Sequence, residues 1–266
     1  METNSEFIIE NGILKDYKGN KTKVTIPDGV KHIGDGVFGG CLALKSISLP
    51  DGLLSIGEVA FAECIKLKSI TIPDGVSSIG CEAFAGCSSL TSISFPNSLK
   101  EFDTGILTDC TRLQSIMVPE SHEIYRTIDG NLYSKDGKTL YMYAPGKTDA
   151  EFAIPNNVVR INESAFSNSC NLTSISVPNS VTHIDEGAFY KCTALASITI
   201  PNGVKSIGLF AFGECDNLTS VILPESVTEI GRVAFGLRTE NLLIHAPTGS
   251  YAETYAKENN IQFLTE

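Results

Sequence analysis

Apolar positions along this chain recur on two scales. Over a few residues they alternate with small polar ones, as in "SISLP" at 46–50, "SITIP" at 69–73 and "SISFP" at 92–96. Alternation with β-branched residues predicts short strands. The Pro that follows ends each one, because it cannot donate to a ladder. On the longer scale the whole pattern returns. Pro27, Pro50, Pro73, Pro96 and Pro119 are 23 residues apart, as are Pro155, Pro178, Pro201, Pro224 and Pro247; 36 residues separate the two series.

Other residues fall into columns on that frame. Three after each Pro stand Val30, Leu53, Val76, Leu99, Val158, Val181, Val204 and Val227. Six after stand Ile33, Ile56, Ile79, Phe102, Ile161, Ile184, Ile207 and Ile230. Eleven after stand Phe38, Phe61, Phe84, Leu107, Phe166, Phe189, Phe212 and Phe235. Fourteen after stand Cys41, Cys64, Cys87, Cys110, Cys192 and Cys215, with Cys170 displaced by one.

Each column has an expected physical role. "PDG" and "PNG" predict turns, with Pro presetting φ and Asp or Asn bonding its own backbone. Gly34, Gly57, Gly80, Asp103, Asn162, Asp185, Gly208 and Gly231 stand seven after Pro. Gly, Asn and Asp tolerate a left-handed backbone, so this column predicts a positive-φ corner. The A-F-x-x-C stretch is too short for a full helix and predicts a single helical or 3₁₀ turn. One such unit cannot bury its apolar side alone, whereas stacked units bury it continuously. The expected fold is a β-rich solenoid.

The I-P turn, the I-G corner and the A-F-x-x-C turn together resemble the BspA-like (Treponema pallidum-type) leucine-rich repeats. The resemblance covers residues 27 to 247. It implies a right-handed superhelix and a place among bacterial surface proteins that adhere to host or bacterial partners. It implies no catalytic role for the repeat.

The expected organisation is one continuous solenoid domain. An N-terminal cap spans 1–26, four units 27–118, an irregular coil with a β-hairpin 119–154, four more units 155–247, and a C-terminal cap 248–266. The fourth unit is worn: Phe102, Asp103, Ile106 and Leu107 replace Ile, Gly, Ala and Phe. In the irregular coil, "LYSKDGKTLYMY" predicts a hairpin turning at Asp136-Gly137. The N-terminal "FIIENGIL" echoes the "IDGNLY" of this coil and predicts a cap over the first unit. Near the other end, Ser250 and Glu253 form a capping box ahead of a short helix. Ala252, Tyr255 and Ala256 make its apolar face, and "IQF" predicts a last strand.

Charge and chemistry change this picture little. A net charge of −11, with ten of the 20 Lys and Arg before residue 119 and ten after, argues against nucleic acid and anionic membranes. No apolar run reaches the ~20 residues of a membrane span. The start has no basic segment leading an apolar one, so no signal peptide is expected; a surface location rests on the resemblance, and the cytoplasm stays open.

Seven of the eight Cys sit in the inward column, where free thiols act as small hydrophobes, and Cys81 lies off it. "GDGVFG" at 34–39 matches a dinucleotide fingerprint, but its first Gly belongs to the repeat. His32 and His183 share one column in distant coils and do not converge. "NLT" at 171 and 217 matches a glycosylation sequon and is also periodic. No catalytic residue, metal ligand or cofactor is expected.

Two surfaces are candidates for contact. Tyr125, Tyr133, Tyr141 and Tyr143, four of the eight tyrosines, gather in the irregular coil. Such rings suit interface centres; they equally suit packing of the hairpin. Tyr141 and Tyr143 are expected on one side of a strand. The second surface is the outward strand face, with Ser48, Thr71, Ser94, Ser176 and Thr199 two before each Pro. It is either a ligand platform or a plain soluble surface. The chain is expected to be a monomeric binding module for a protein or glycan, or a structural spacer with no ligand of its own.

Overall fold

A computed structural model describes residues 6–100 and 104–265. It comprises two compact units, Met1–Lys135 and Asp136–Glu266. Each is a β-solenoid of 23-residue coils, so the period sets the architecture. Phe102 and Asp103 lie outside the described residues.

Each regular coil carries two strands where the sequence predicts one. The expected strand precedes each Pro, as in Ser46–Ser48, Ser69–Thr71 and Ser92–Ser94. A second, two-residue strand centres on the Ile six after Pro, as in His32–Ile33, Ser55–Ile56 and Ser78–Ile79. Two residues are too few to show alternation, which hides this element in the sequence. Both series stack in parallel one period apart, pairing Ile33 with Ile56 and Ile56 with Ile79. In the second unit Ile161, Ile184, Ile207 and Ile230 pair in the same way.

The glycine column is not a left-handed corner. None of Gly34, Gly57, Gly80, Asn162, Asp185, Gly208 and Gly231 has positive φ. Its reason is close stacking: a Cβ on Gly80 would lie 2.5 Å from Glu58 N, and one on Gly208 2.5 Å from Glu186 N. The left-handed residues stand nine after Pro, at Gly36, Val59, Glu82, Ser164, Gly187, Phe210 and Val233, with φ between 47° and 63°. They recur thirteen after, at Gly40, Glu63, Gly86, Asp109, Asn168, Lys191 and Glu214. Because these columns mix residue types, composition does not reveal them. They break the helical turn so that its amides bond along the stack: Phe61 N–H donates to Ala83 O, and Phe189 N–H to Ala211 O, both at 2.7 Å.

The Val/Leu, Ile and Phe columns form the core of each unit. The rings stack face to face. In the first unit Phe38, Phe61 and Phe84 have centroids 5.1 and 5.2 Å apart. In the second, Phe166, Phe189, Phe212 and Phe235 follow at 5.0, 4.9 and 5.4 Å. Such offset pairs contribute about 0.5–1.5 kcal/mol beyond buried area. Ile106 and Leu107 fill the worn unit's core positions and are buried.

Cys64, Cys87, Cys110, Cys192 and Cys215 are buried and free of disulfides. They do more than fill space. Each thiol donates to the Phe carbonyl of the preceding coil, 26 residues back, at 3.1–3.2 Å. Burial pushes the Cys87 thiol up to about 12. The column has exceptions: Cys41 is half-buried, Cys170 is exposed, and Ser169 takes the inward place instead.

Both caps form. Phe7–Glu10 and Ile13–Tyr17 make a hairpin turning at Asn11-Gly12, both with positive φ as a type I′ turn requires. The Tyr17 ring packs tilted against Phe38, with centroids 5.0 Å apart. At the other end, the helix Tyr251–Glu258 buries Ala252, Tyr255 and Ala256. The capping box is modified: Glu253 N–H donates to Ser250 Oγ, but the Glu253 carboxylate reaches back to Gly249 N–H rather than to Ser250 N–H. The last strand, Gln262–Thr265, runs parallel to Leu243–Ala246.

The irregular coil holds a hairpin at a turn that the sequence reading does not single out. Tyr125–Ile128 pairs with Asn131–Ser134 through Asp129-Gly130, whose φ values are 49° and 76°. This is the N-terminal hairpin over again, so the echo between the two segments is structural. Strands also flank Asp136-Gly137: Asn131–Ser134 belongs to the first unit, and Thr139–Met142 to the second, where it runs parallel to Arg160–Ile161.

Candidate binding surface

Three of the four clustered tyrosines pack inward. Tyr125, Tyr133 and Tyr143 are 6%, 1% and 1% exposed. Tyr125 lies beside His122, with its hydroxyl donating to Lys100 O. Burial raises the Tyr133 hydroxyl to about 12. Tyr143 stands in the Phe column of the second unit, stacked on Phe166 at 5.3 Å. Its strand ends at Met142, so the period-two argument that places Tyr141 and Tyr143 on one side does not reach it. Tyr141 alone is half-exposed. The sequence signal for Tyr143 is its place 23 residues before Phe166.

The strand face is different. Ser48, Thr71, Ser176 and Thr199 are exposed and Ser94 is half-exposed. Hydroxyls elsewhere in the repeat are tied down. Thr91 and Thr173 Oγ1 donate to Lys68 O and Ala150 O, and Ser98, Ser180 and Ser226 Oγ to Val76, Val158 and Val204 O. Ser48, Thr71 and Ser94 have no such tie among the described residues. The Asn of each sequon also braces the stack, since Asn171 and Asn217 Nδ2 donate to Lys147 O and Thr193 O.

In the first unit this face opens into a groove. Strands Ser46–Ser48 and Ser69–Thr71 belong to separate sheets, with Lys68 N–H to Lys45 O, 3.3 Å, at their entrance. In most coils the residue before Pro continues the ladder; the same lapse recurs in the second unit, where Ser174–Ser176 and Ser197–Thr199 lie in separate sheets and Val177 N–H makes no bond to Thr199 O. Ile72 N–H donates to Ser94 O and Phe95 N–H to Met117 O, both at 2.9 Å, but Leu49 N–H makes no matching bond to Thr71 O. Ile47 and Leu49 are correspondingly half-buried, whereas Ile70, Ile72, Ile93 and Phe95 are buried.

The lapse at Leu49 lies in a groove of 570 Å³ lined by Ser46, Ser48, Asp51, Ser69, Thr71 and Asp74 among others. A second hollow of 350 Å³ shares Thr71, Pro73 and Asp74 and adds Ser94, Pro96 and Met117. The lining mixes free hydroxyls, carboxylates, unladdered backbone and flat apolar patches. Such a surface offers hydrogen-bond donors and acceptors to a molecule of extended shape.

The model of the BspA-type leucine-rich repeat region matches residues 8–135 and 145–245, in six copies. The chain belongs to the BspA-type leucine-rich repeat family. No curated protein sequence matches it. Among solved structures, this BspA-type chain is similar to a leucine-rich repeat protein of Eubacterium ventriosum, with a TM-score of 0.66 and 22% identity over 83% of this chain and 78% of that one. It is similar to the pneumococcal vaccine antigen PcpA (0.60; 21%; 92% and 79%) and to a leucine-rich cell surface protein of Faecalibacterium prausnitzii (0.52; 24%; 94% and 94%). At these identities the likeness concerns the fold.

Proposed function

We propose that this BspA-type repeat protein is a non-catalytic binding module that holds a protein or glycan partner on the strand face of its first unit. The observation that carries this reading is the lapse in the ladder between Ser46–Ser48 and Ser69–Thr71, which leaves backbone and hydroxyl groups open beside Asp51 and Asp74. Polar groups left open on a rigid frame favour a ligand that supplies their hydrogen bonds. Two structural relatives bear the descriptions cell surface protein and vaccine antigen, which supports a bacterial surface or secreted location.

Labelled protein applied to glycan and extracellular-matrix protein arrays tests this. A ligand bound by the wild type should be bound at least ~10-fold more weakly by the Ser48→Arg/Thr71→Arg variant, which fills the groove while changing only exposed positions. Unchanged binding moves the site off this face, and no binding to any array favours the spacer role.

A further inference from the structure

The second unit carries a larger groove on the opposite edge of the repeat, where the helical turns lie. Its volume is 730 Å³, within the usual range for ligand sites. Two rings shape it: Tyr190, twelve after its Pro, and Phe210, nine after the next. They close over Gly213, where a Cβ would come within 3.0 Å of Tyr190 and 3.1 Å of Phe210. The first unit has Ala62 and Val59 at the corresponding columns, so the groove is specific to these coils and not a property of the repeat.

The lining is acidic and apolar together. Glu163, Glu186, Glu214 and Asp216 line it, with Arg238 as the one cationic lining residue. Glu214 is already engaged, accepting from Tyr190 Oη at 2.6 Å and lying 4.0 Å from Lys191 Nζ. Glu163, Glu186 and Asp216 are exposed and have no ion pair among the described residues. Beside them Phe210 is 36% exposed and Leu237 80%. An exposed Leu and Phe next to unpaired carboxylates is complementary to a segment that brings positive charge and one apolar side chain.

We propose that this groove docks an extended cationic peptide segment of another protein, with Lys or Arg on either side of an apolar residue. The carboxylates steer and register the charges, and Phe210 and Leu237 take the apolar side chain. A second copy of this chain fits poorly, because each copy carries a net charge of −11. The proposal is independent of the strand-face reading, since it uses other residues in the other unit.

The test is fluorescence anisotropy with a fluorescein-labelled octapeptide of alternating lysine and leucine, at about 150 mM salt to screen diffuse attraction. The groove variant Glu163→Gln/Glu186→Gln/Asp216→Asn is compared with Glu58→Gln/Glu63→Gln/Glu82→Gln, which removes the same charge from the turn edge of the first unit. The groove variant should lose at least ~10-fold in affinity and the control less than ~2-fold, with Leu237→Ser losing about 5-fold. Thermal melts of all three check that the fold survives. Equal losses in the two triple variants would reduce the binding to net charge and overturn the proposal. So would equal binding of a glutamate–leucine octapeptide, or no binding by the wild type.

Discussion

The two units are built from one coil and open different faces. In the first, the lapsed ladder beside Ser48 and Thr71 opens into a groove, and the turn edge carries small residues such as Ala62 and Ala85. In the second, Tyr190 and Phe210 raise walls on the turn edge. The interiors are alike: Phe61 and Phe189 each lie between two parallel rings at about the same spacing. The difference teaches that the inward columns are committed to stacking and that distinct surfaces arise from outward columns free to drift. Sites in such a solenoid are therefore sought where a coil departs from its neighbours on the outside, not where it agrees with them.

The largest expected effect tests the shared interior. Phe84→Ala in the first unit and Phe189→Ala in the second should each lower stability by about 3–5 kcal/mol in urea unfolding. A loss under about 1 kcal/mol at either would mean that the two cores are not equivalent. Next come the glycines that allow close stacking. Gly80→Ala and Gly208→Ala should each cost about 1–3 kcal/mol, because the new methyl meets backbone of the preceding coil. Gly29→Ala, with φ 89° and open space around its missing Cβ, should cost about 1 kcal/mol or less. Equal, small losses at all three would remove the stacking explanation.

A smaller effect belongs to the first unit. His122 is 1% exposed. Its Nε2 donates to Leu99 O at 3.0 Å, and its Nδ1 accepts from Ile124 and Tyr125 N–H, both at 3.2 Å. Protonating Nδ1 would forfeit both bonds. Burial, with a contribution from Lys135 and opposition from the Leu99 hydrogen bond and Glu123, holds its pKa below the ordinary histidine value. The stability it contributes is full above the unfolded-chain pKa of about 6.5 and is lost as pH falls through the lower folded value. Urea midpoints should therefore fall between about pH 7 and pH 5, and His122→Gln should flatten that slope. An unchanged slope would show that other groups set it.

Much of the fold is legible because the period is visible at single residues. Pro, Phe and Ile each mark a column, and burial follows the Phe and Ile columns. What stays hidden has physical causes. The two-residue strands at Ile33, Ile56 and Ile79 are too short for alternation. The left-handed positions hold Val59, Glu82 and Phe210, residues that give no sign of positive φ, while Gly80 is needed for a neighbour's backbone and not for its own. Tyr143 departs from the strand expectation because its ring belongs to the Phe column, one residue past the strand's end. The hydroxyl face is legible as residues. The lapse in its ladder is not, since "SISLP" and "SISFP" differ by a single side chain between the open strand and the paired one.

That lapse is tested most directly by amide hydrogen exchange at two equivalent positions. Leu49 and Phe95 each precede a repeat Pro. Phe95 N–H is bonded to Met117 O at 2.9 Å, and Leu49 N–H lacks the matching bond to Thr71 O. In the free protein the Leu49 amide should exchange at least ~10-fold faster than that of Phe95. Equal protection at the two positions would mean that the ladder is closed between Ser48 and Thr71, and would contradict the account of the open strand face.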